Sequence, residues 1–118
     1  MGRRRFSKPY DIFNNQDISA DYVSDWTDVS LDDSLTYLVD WSGDADGELQ
    51  VEIANKDDQS NVHTLNFGSV ISIDDTITPK QHTILIDVKA FKYIRLKYIS
   101  SSGSGNMTAT LFKTAKGA

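Results

Sequence analysis

The sequence predicts an all-β protein, a single β-sandwich of about eight antiparallel strands. Three observations carry that expectation. Apolar and polar residues alternate in run after run, as in Leu35, Tyr37, Val39 and Trp41 or Ile94, Leu96 and Tyr98, and a period of two marks a strand with one face buried. Segments rich in Gly, Asp, Asn and Ser separate these runs at close intervals, the spacing of a sandwich or barrel rather than of βα units. No convincing helical periodicity occurs.

Residues 1 to 16 have no clean period, contain Pro9 and mix Arg, Phe, Tyr and Asn. They read as a basic extended arm, either disordered or laid on a neighbour. The sandwich is expected over residues 17 to 114, with 115 to 118 as a flexible tail. Its first strand lies within Asp17 to Ser30, where Tyr22, Ser24, Trp26 and Asp28 alternate with Val23, Asp25, Thr27 and Val29. After a turn at Asp32 and Asp33, the Leu35 to Trp41 row marks a core strand. Beyond the GDADG turn (residues 43 to 47), Leu49, Val51 and Ile53 continue the apolar row while Glu48, Gln50 and Glu52 face out, so residues 35 to 53 read as a hairpin. His63, Leu65 and Phe67 alternate in a strand that Gly68 ends or bulges, and Val70, Ile71 and Ile73 form a short apolar stretch. A loop at Thr78 to Lys80 leads to a strand carrying Ile84, Ile86 and Val88. The closing pair, residues 91 to 112, places Lys92, Ile94, Leu96 and Tyr98 on one row and Tyr93, Arg95 and Lys97 on the other. A turn containing Gly103 and Gly105 joins it to the row Met107, Ala109 and Leu111, and the whole reads as a hairpin.

At 118 residues the chain suits one domain. It has no cysteine, which leaves neither a disulfide framework nor a thiolate metal site. No apolar run is long enough to span a bilayer, and no signal-peptide core opens the chain. Catalytic patterns are missing as well. His63 and His82 lack metal-ligand spacing and read as surface or rim residues. The aspartates sit in turn-forming contexts, including Asp44 and Asp46, whose alternation falls short of a calcium loop. There is no Gly-x-Ser-x-Gly elbow and no Gly-rich loop leading into a helix. The chain reads as a binding protein without enzymatic activity or cofactor.

Its charges are segregated. Net charge is −5, yet residues 1 to 10 hold Arg3, Arg4, Arg5 and Lys8 with no acid, and residues 11 to 59 hold fourteen acids against Lys56. Residues 91 to 118 hold five bases and no acid. Opposed surfaces of this kind fit different partners, or copies of one subunit meeting through complementary faces, and equally fit acidic loops that only keep a small domain soluble. The expected partner-binding residues are Arg3, Arg4, Arg5, Lys8 and Tyr10 of the arm and the outward row Tyr93, Arg95 and Lys97. Substituting Glu for Arg95 or Lys97 is expected to disturb assembly more than folding. Three arginines suit a solvated terminus or an acidic protein surface better than nucleic acid.

The segments DISADYVSDWTDVSLDDSLTYLVDWSGDADGELQVEIANKD and FKYIRLKYISSSGSGNMTATLF resemble small all-β virion proteins of tailed bacteriophages and prophages. The matching pattern uses Trp26, Asp28, Trp41, Gly43, Gly47 and Val51 at the front and Tyr93 to Leu96, Tyr98, Ser102, Gly103 and Gly105 near the end. It covers roughly residues 17 to 113 and leaves the arm outside. The resemblance implies a jelly-roll-like capsid decoration or cement protein, docked on the major capsid protein and on copies of itself as a trimer or dimer. Its location would be the virion, and the host cytoplasm before assembly. Residues 93 to 96 also look like the Arg-containing strand of discoidin or galactose-binding-like modules, which implies carbohydrate binding with Tyr10, Tyr22 and Trp26 as stacking platforms. A tail or baseplate subunit contacting the host surface is a further form of the virion expectation.

Overall fold

The computed structural model describes residues 7–55, 60–87 and 91–115. Along the chain run β1 (Ser7–Asp17), β2 (Tyr22–Val23), β3 (Thr27–Asp28), β4 (Asp32–Trp41), β5 (Asp46–Ala54), β6 (Val62–Thr64), β7 (Ile71–Ile73), β8 (Gln81–Asp87), β9 (Tyr93–Ser102) and β10 (Asn106–Ala115). The first sheet has the order β1-β10-β4-β8; the second has β2-β9-β5-β6, with β3 also on β9 and β7 also on β5. All pairings are antiparallel.

β2 and β3 lie end to end along β9, as β6 and β7 do along β5, so ten strands fill eight positions. Those positions form a double-sheet jelly roll, in which the chain crosses repeatedly from one sheet to the other. The expected all-β sandwich is thus the observed fold, with no helix among the described residues.

The alternating rows make the core. Leu35, Tyr37, Val39 and Trp41 from β4 and Met107, Ala109 and Leu111 from β10 meet Leu49 and Val51 of β5 and Ile94, Leu96 and Tyr98 of β9, all buried. Each large side chain removed from water contributes roughly 1.5 to 3 kcal/mol, so these rows dominate the favourable side of folding.

Both expected hairpins turn out to be arches between sheets. β4 and β5 belong to different sheets, and so do β9 and β10. Alternation reports which face of a strand is buried, and is silent on which strand lies beside it. The two connecting turns instead pack on each other at one end of the sandwich. Ser42 N donates to Asn106 O at 2.9 Å and Asp44 N to Ser104 O at 3.0 Å, and Ser104 N donates back to Asp44 Oδ1 at 3.0 Å. Gly43 takes φ +85° here, and a Cβ on Gly105 would collide with the Ser42 carbonyl. Asp44, half of the apparent calcium motif, is a clasp between arches. The true hairpin is β5 to β6, from Ala54 opposite Val62.

The N-terminal segment also differs from expectation. Residues 7 to 17 are β1, an edge strand of the first sheet paired from Ser7 opposite Thr114 to Asp17 opposite Asn106. The surface on which the arm lies is its own chain's β10. Phe13 is 1% exposed, and Tyr10 and Ile12 pack against the core, so the sandwich takes in residues 7 to 16 as well. Two breaks in register and a left-handed Asn15 (φ 50°) scramble the period that would have announced a strand. Residues 1 to 6 and Val88 lie outside the described residues. Downstream, β6 stops at Thr64, and Phe67 stands exposed in the connection to β7.

Candidate partner interface

The outward row of β9 sits on the exposed face of the second sheet, where β5 supplies its neighbours. Arg95 lies opposite Glu52 and Lys97 opposite Gln50. Arg95 Nε donates to Glu52 Oε1 at 2.7 Å, and Lys97 Nζ reaches Glu52 Oε2 at 3.8 Å. The Arg95 guanidinium also lies over the Trp26 ring, 4.3 Å from its centroid. Two cations thus share one carboxylate, and a charge-assisted bond and a cation–π contact fix the arginine. Glu52, expected to face solvent, does leave the core side of β5 but is only 7% exposed beneath its partners.

Trp26 reaches this place because the β2–β3 position is broken. Ser24, buried between the two strands, restores the ladder: its N–H donates to Leu96 O at 2.9 Å and its Oγ accepts from Leu96 N at 3.0 Å. The chain then bends through Asp25 and Trp26 before β3 resumes pairing with Thr27 opposite Ile94. Just beyond, Asp28 Oδ1 accepts from Ser30 N at 2.9 Å and from Ser30 Oγ at 2.7 Å. These bonds hold the Asp28 carboxyl below the usual aspartate range.

The expected partner residues do not form one face. Tyr93, Arg95 and Lys97 share the outer side of β9, all partly exposed. Tyr10 sits on β1 in the other sheet, half-buried, with Lys113 Nζ 4.9 Å from its ring centroid. Lys113 further pairs with Asp32 at 3.3 Å and donates to Asp28 O at 3.0 Å, tying β10 to the turn before β4. Lys8 lies on β1 opposite Lys113, its side chain outside what is described, and Arg3, Arg4 and Arg5 lie outside the described residues altogether.

The aromatic residues expected to stack on sugars are engaged within the fold. Trp26 carries Arg95 on its ring, and Tyr22 makes an edge contact with Phe13 at 5.2 Å. An exposed groove of about 470 Å³ opens elsewhere, over β5 where β6 and β7 leave a gap, bordered by Phe67, Asn66, Gln50 and Glu48. His63 is exposed as expected, whereas His82 bridges the sheets: its Nε2 donates to Ser72 O at 2.6 Å and its ring lies 5.3 Å from that of Trp41.

Sequence reasoning passed over Glu52, the Phe67 groove and Leu85. Nothing local marks Glu52, whose burial depends on residues far along the chain. Leu85 did leave a signal, because Ile84, Leu85 and Ile86 are consecutive and a strand must turn one of three such residues outward.

Comparison with family models and with curated proteins finds no match. Among solved structures, the chain is similar to the SPBc2 prophage-derived protein YomS, with a TM-score of 0.58 and 11% identity over 95% of this chain and 97% of that one. It is also similar to a chain in the structure of infectious bursal disease virus, Gx strain, with a TM-score of 0.57 and 10% identity over 98% of this chain and 33% of that one. At such identities the likeness is one of fold.

Proposed function

We propose that this chain is a non-enzymatic structural protein of a tailed-bacteriophage virion, a capsid decoration or cement protein that docks on the major capsid protein and on copies of itself. The observation that carries this reading is the mutual coverage with YomS, 95% of this chain and 97% of the prophage-derived one. The two share one small sandwich over nearly the whole of both aligned chains. The jelly roll recurs in viral capsid proteins, though also in lectins, so fold narrows function without fixing it. The outer face of the second sheet adds a plate of fixed charge around Arg95, Glu52 and Lys97, suited to repeated docking on a lattice, where many weak contacts sum to avidity. On this reading the protein is made in the host cytoplasm and ends in the virion.

The test is co-sedimentation with undecorated capsids. Full-length protein is expected to pellet with them, and a chain lacking residues 1 to 6 to pellet less. That truncation spares β1, whereas removing residues 1 to 16 would strip an edge strand and expose the Phe13 site. Failure of the full-length protein to bind any capsid surface of its own phage would reject the decoration role.

Carbohydrate binding is the second reading, and the groove beside Phe67 favours it. An exposed aromatic bordered by Asn66, Gln50 and Glu48 offers a stacking face and hydrogen-bonding groups to a sugar. Signals on a glycan array that vanish with Phe67→Ala would support this reading; a blank array rejects it.

A further inference from the structure

A sheet edge presents unpaired N–H and C=O groups, and proteins blunt such edges with proline, bulges, charge or brevity. Three of the four edge positions here are blunted. β1 carries Pro9 and two register breaks. The β2–β3 edge consists of two-residue pieces, and the β6–β7 edge of three-residue pieces interrupted by the Phe67 loop. β8 is the exception. It runs seven residues, QHTILID, in unbroken register with β4 from Asp40 opposite Gln81 to Ser34 opposite Asp87. It contains no proline, glycine, lysine or arginine, and among the described residues β4 alone pairs with it.

The free groups on that edge can be named. Trp41 N donates to Lys80 O at 3.2 Å, extending the β4–β8 ladder by one pair. Antiparallel ladders alternate, so the backbone groups of His82, Ile84 and Ile86 turn toward β4 and those of Thr83 and Leu85 toward the open edge. The Leu85 side chain is 72% exposed on the outer face of the sheet, and Leu38, one strand inward, is 42% exposed.

We infer that β8 pairs antiparallel with β8 of a second copy about a twofold axis at Ile84, joining two four-stranded sheets into one. The occupant follows from charge. Residues 81 to 86 carry no acid or permanent base, so the strand meets itself without like-charge repulsion in a chain of net charge −5. In this register Thr83 faces Leu85 of the partner subunit, and outward-pointing backbone groups meet their complements. Asp87, the one acid of the strand, falls opposite Gln81 of the partner subunit, which keeps the two Asp87 carboxylates apart. The exposed leucines of both copies then form one apolar strip across the junction. This dimer needs no capsid, so it stands or falls separately from the virion reading.

The experiment is analytical ultracentrifugation of the full chain from micromolar to millimolar concentration, with amide hydrogen exchange on the same samples. A monomer–dimer equilibrium is expected, with the Leu85 amide protected as dimer forms. Thr83→Pro removes a donor that the β4–β8 ladder does not use, and Leu85→Lys places a blocking charge on the edge. Each is expected to weaken dimerisation at least about tenfold while leaving the circular dichroism spectrum unchanged, and Leu85→Lys decides the matter should the proline variant misfold. A wild-type chain that stays monomeric throughout, a dimer untouched by the folded variants, or rapid Leu85 exchange in a dimeric sample overturns the inference.

Discussion

Glu52 holds Arg95 across the β5–β9 pair, carboxylate to guanidinium at 2.7 Å, with the acid 7% exposed. This contact separates two residues that the sequence treats alike. Arg95→Glu would set a second carboxylate against a nearly buried one and leave Trp26 uncovered, at a cost of about 1 to 3 kcal/mol. Lys97, more exposed and 3.8 Å from Glu52, contributes under about 1 kcal/mol. Thermal unfolding of the isolated protein should therefore show a clear loss for Arg95→Glu and little for Lys97→Glu; under the proposed virion role, Lys97→Glu is expected to weaken co-sedimentation with capsids. Equal melting temperatures for the two variants would return Arg95 to a purely partner-facing role.

The two arches make a second prediction. A Cβ on Gly105 collides with the backbone carbonyl of Ser42, and Gly43 Cα stands 3.3 Å away. Backbone cannot move aside as a side-chain tip can, so Gly105→Ala is expected to cost about 1 to 3 kcal/mol. Asp44→Ala removes one clasp, the bond from Ser104 N, and should cost about 1 kcal/mol. Denaturant titration checks both. A Gly105→Ala protein as stable as wild type would mean that the arches slide apart freely and do not lock the sheets.

The inward rows were legible in the sequence. Leu35, Tyr37, Val39 and Trp41, or Ile94, Leu96 and Tyr98, are buried as their alternation predicts, because burial of one face is a local property of a strand. Sheet partnership is not local. The sequence signals of β4 followed by β5 are those of a hairpin, yet the strands part into different sheets, since Gly43 and Gly105 serve the contact between arches rather than a tight turn within one sheet. β1 was hidden by its own irregularity at Asn15. The candidate site was half legible: β9's outward basic row is where alternation puts it, while the Glu52 clasp joins residues whose separation of 43 positions no local pattern encodes.

Tyr37 supplies a third prediction. Its side chain is fully buried, its hydroxyl has no hydrogen-bond partner among the described residues, and burial pushes the phenol's pKa far up. A buried hydroxyl without a partner carries a desolvation cost that no bond offsets. Tyr37→Phe, which keeps the ring, should leave stability unchanged or raise it by up to about 1 kcal/mol. A loss larger than that, measured by denaturant unfolding, would reveal a partner for the hydroxyl.

The acid limb of stability follows from a repeated turn. Asp17, Asp28 and Asp74 each accept the backbone N–H two residues on, from Ser19, Ser30 and Thr76. The backbone bond leads for Asp17 and Asp28 and the threonine hydroxyl for Asp74, and all three carboxyls are held below their ordinary range. A depressed folded pKa means that the unfolded chain binds protons first. The associated stability is present above the unfolded aspartate value of about 3.9 and is lost as pH falls through the lower folded values. Melting temperature should stay level from neutral pH to about 5 and decline toward about 3. Replacing all three by Asn keeps a side-chain oxygen for each turn but removes the titrating group, so the decline should become shallower while the neutral-pH structure persists. An identical decline in the triple variant would place the acid sensitivity elsewhere.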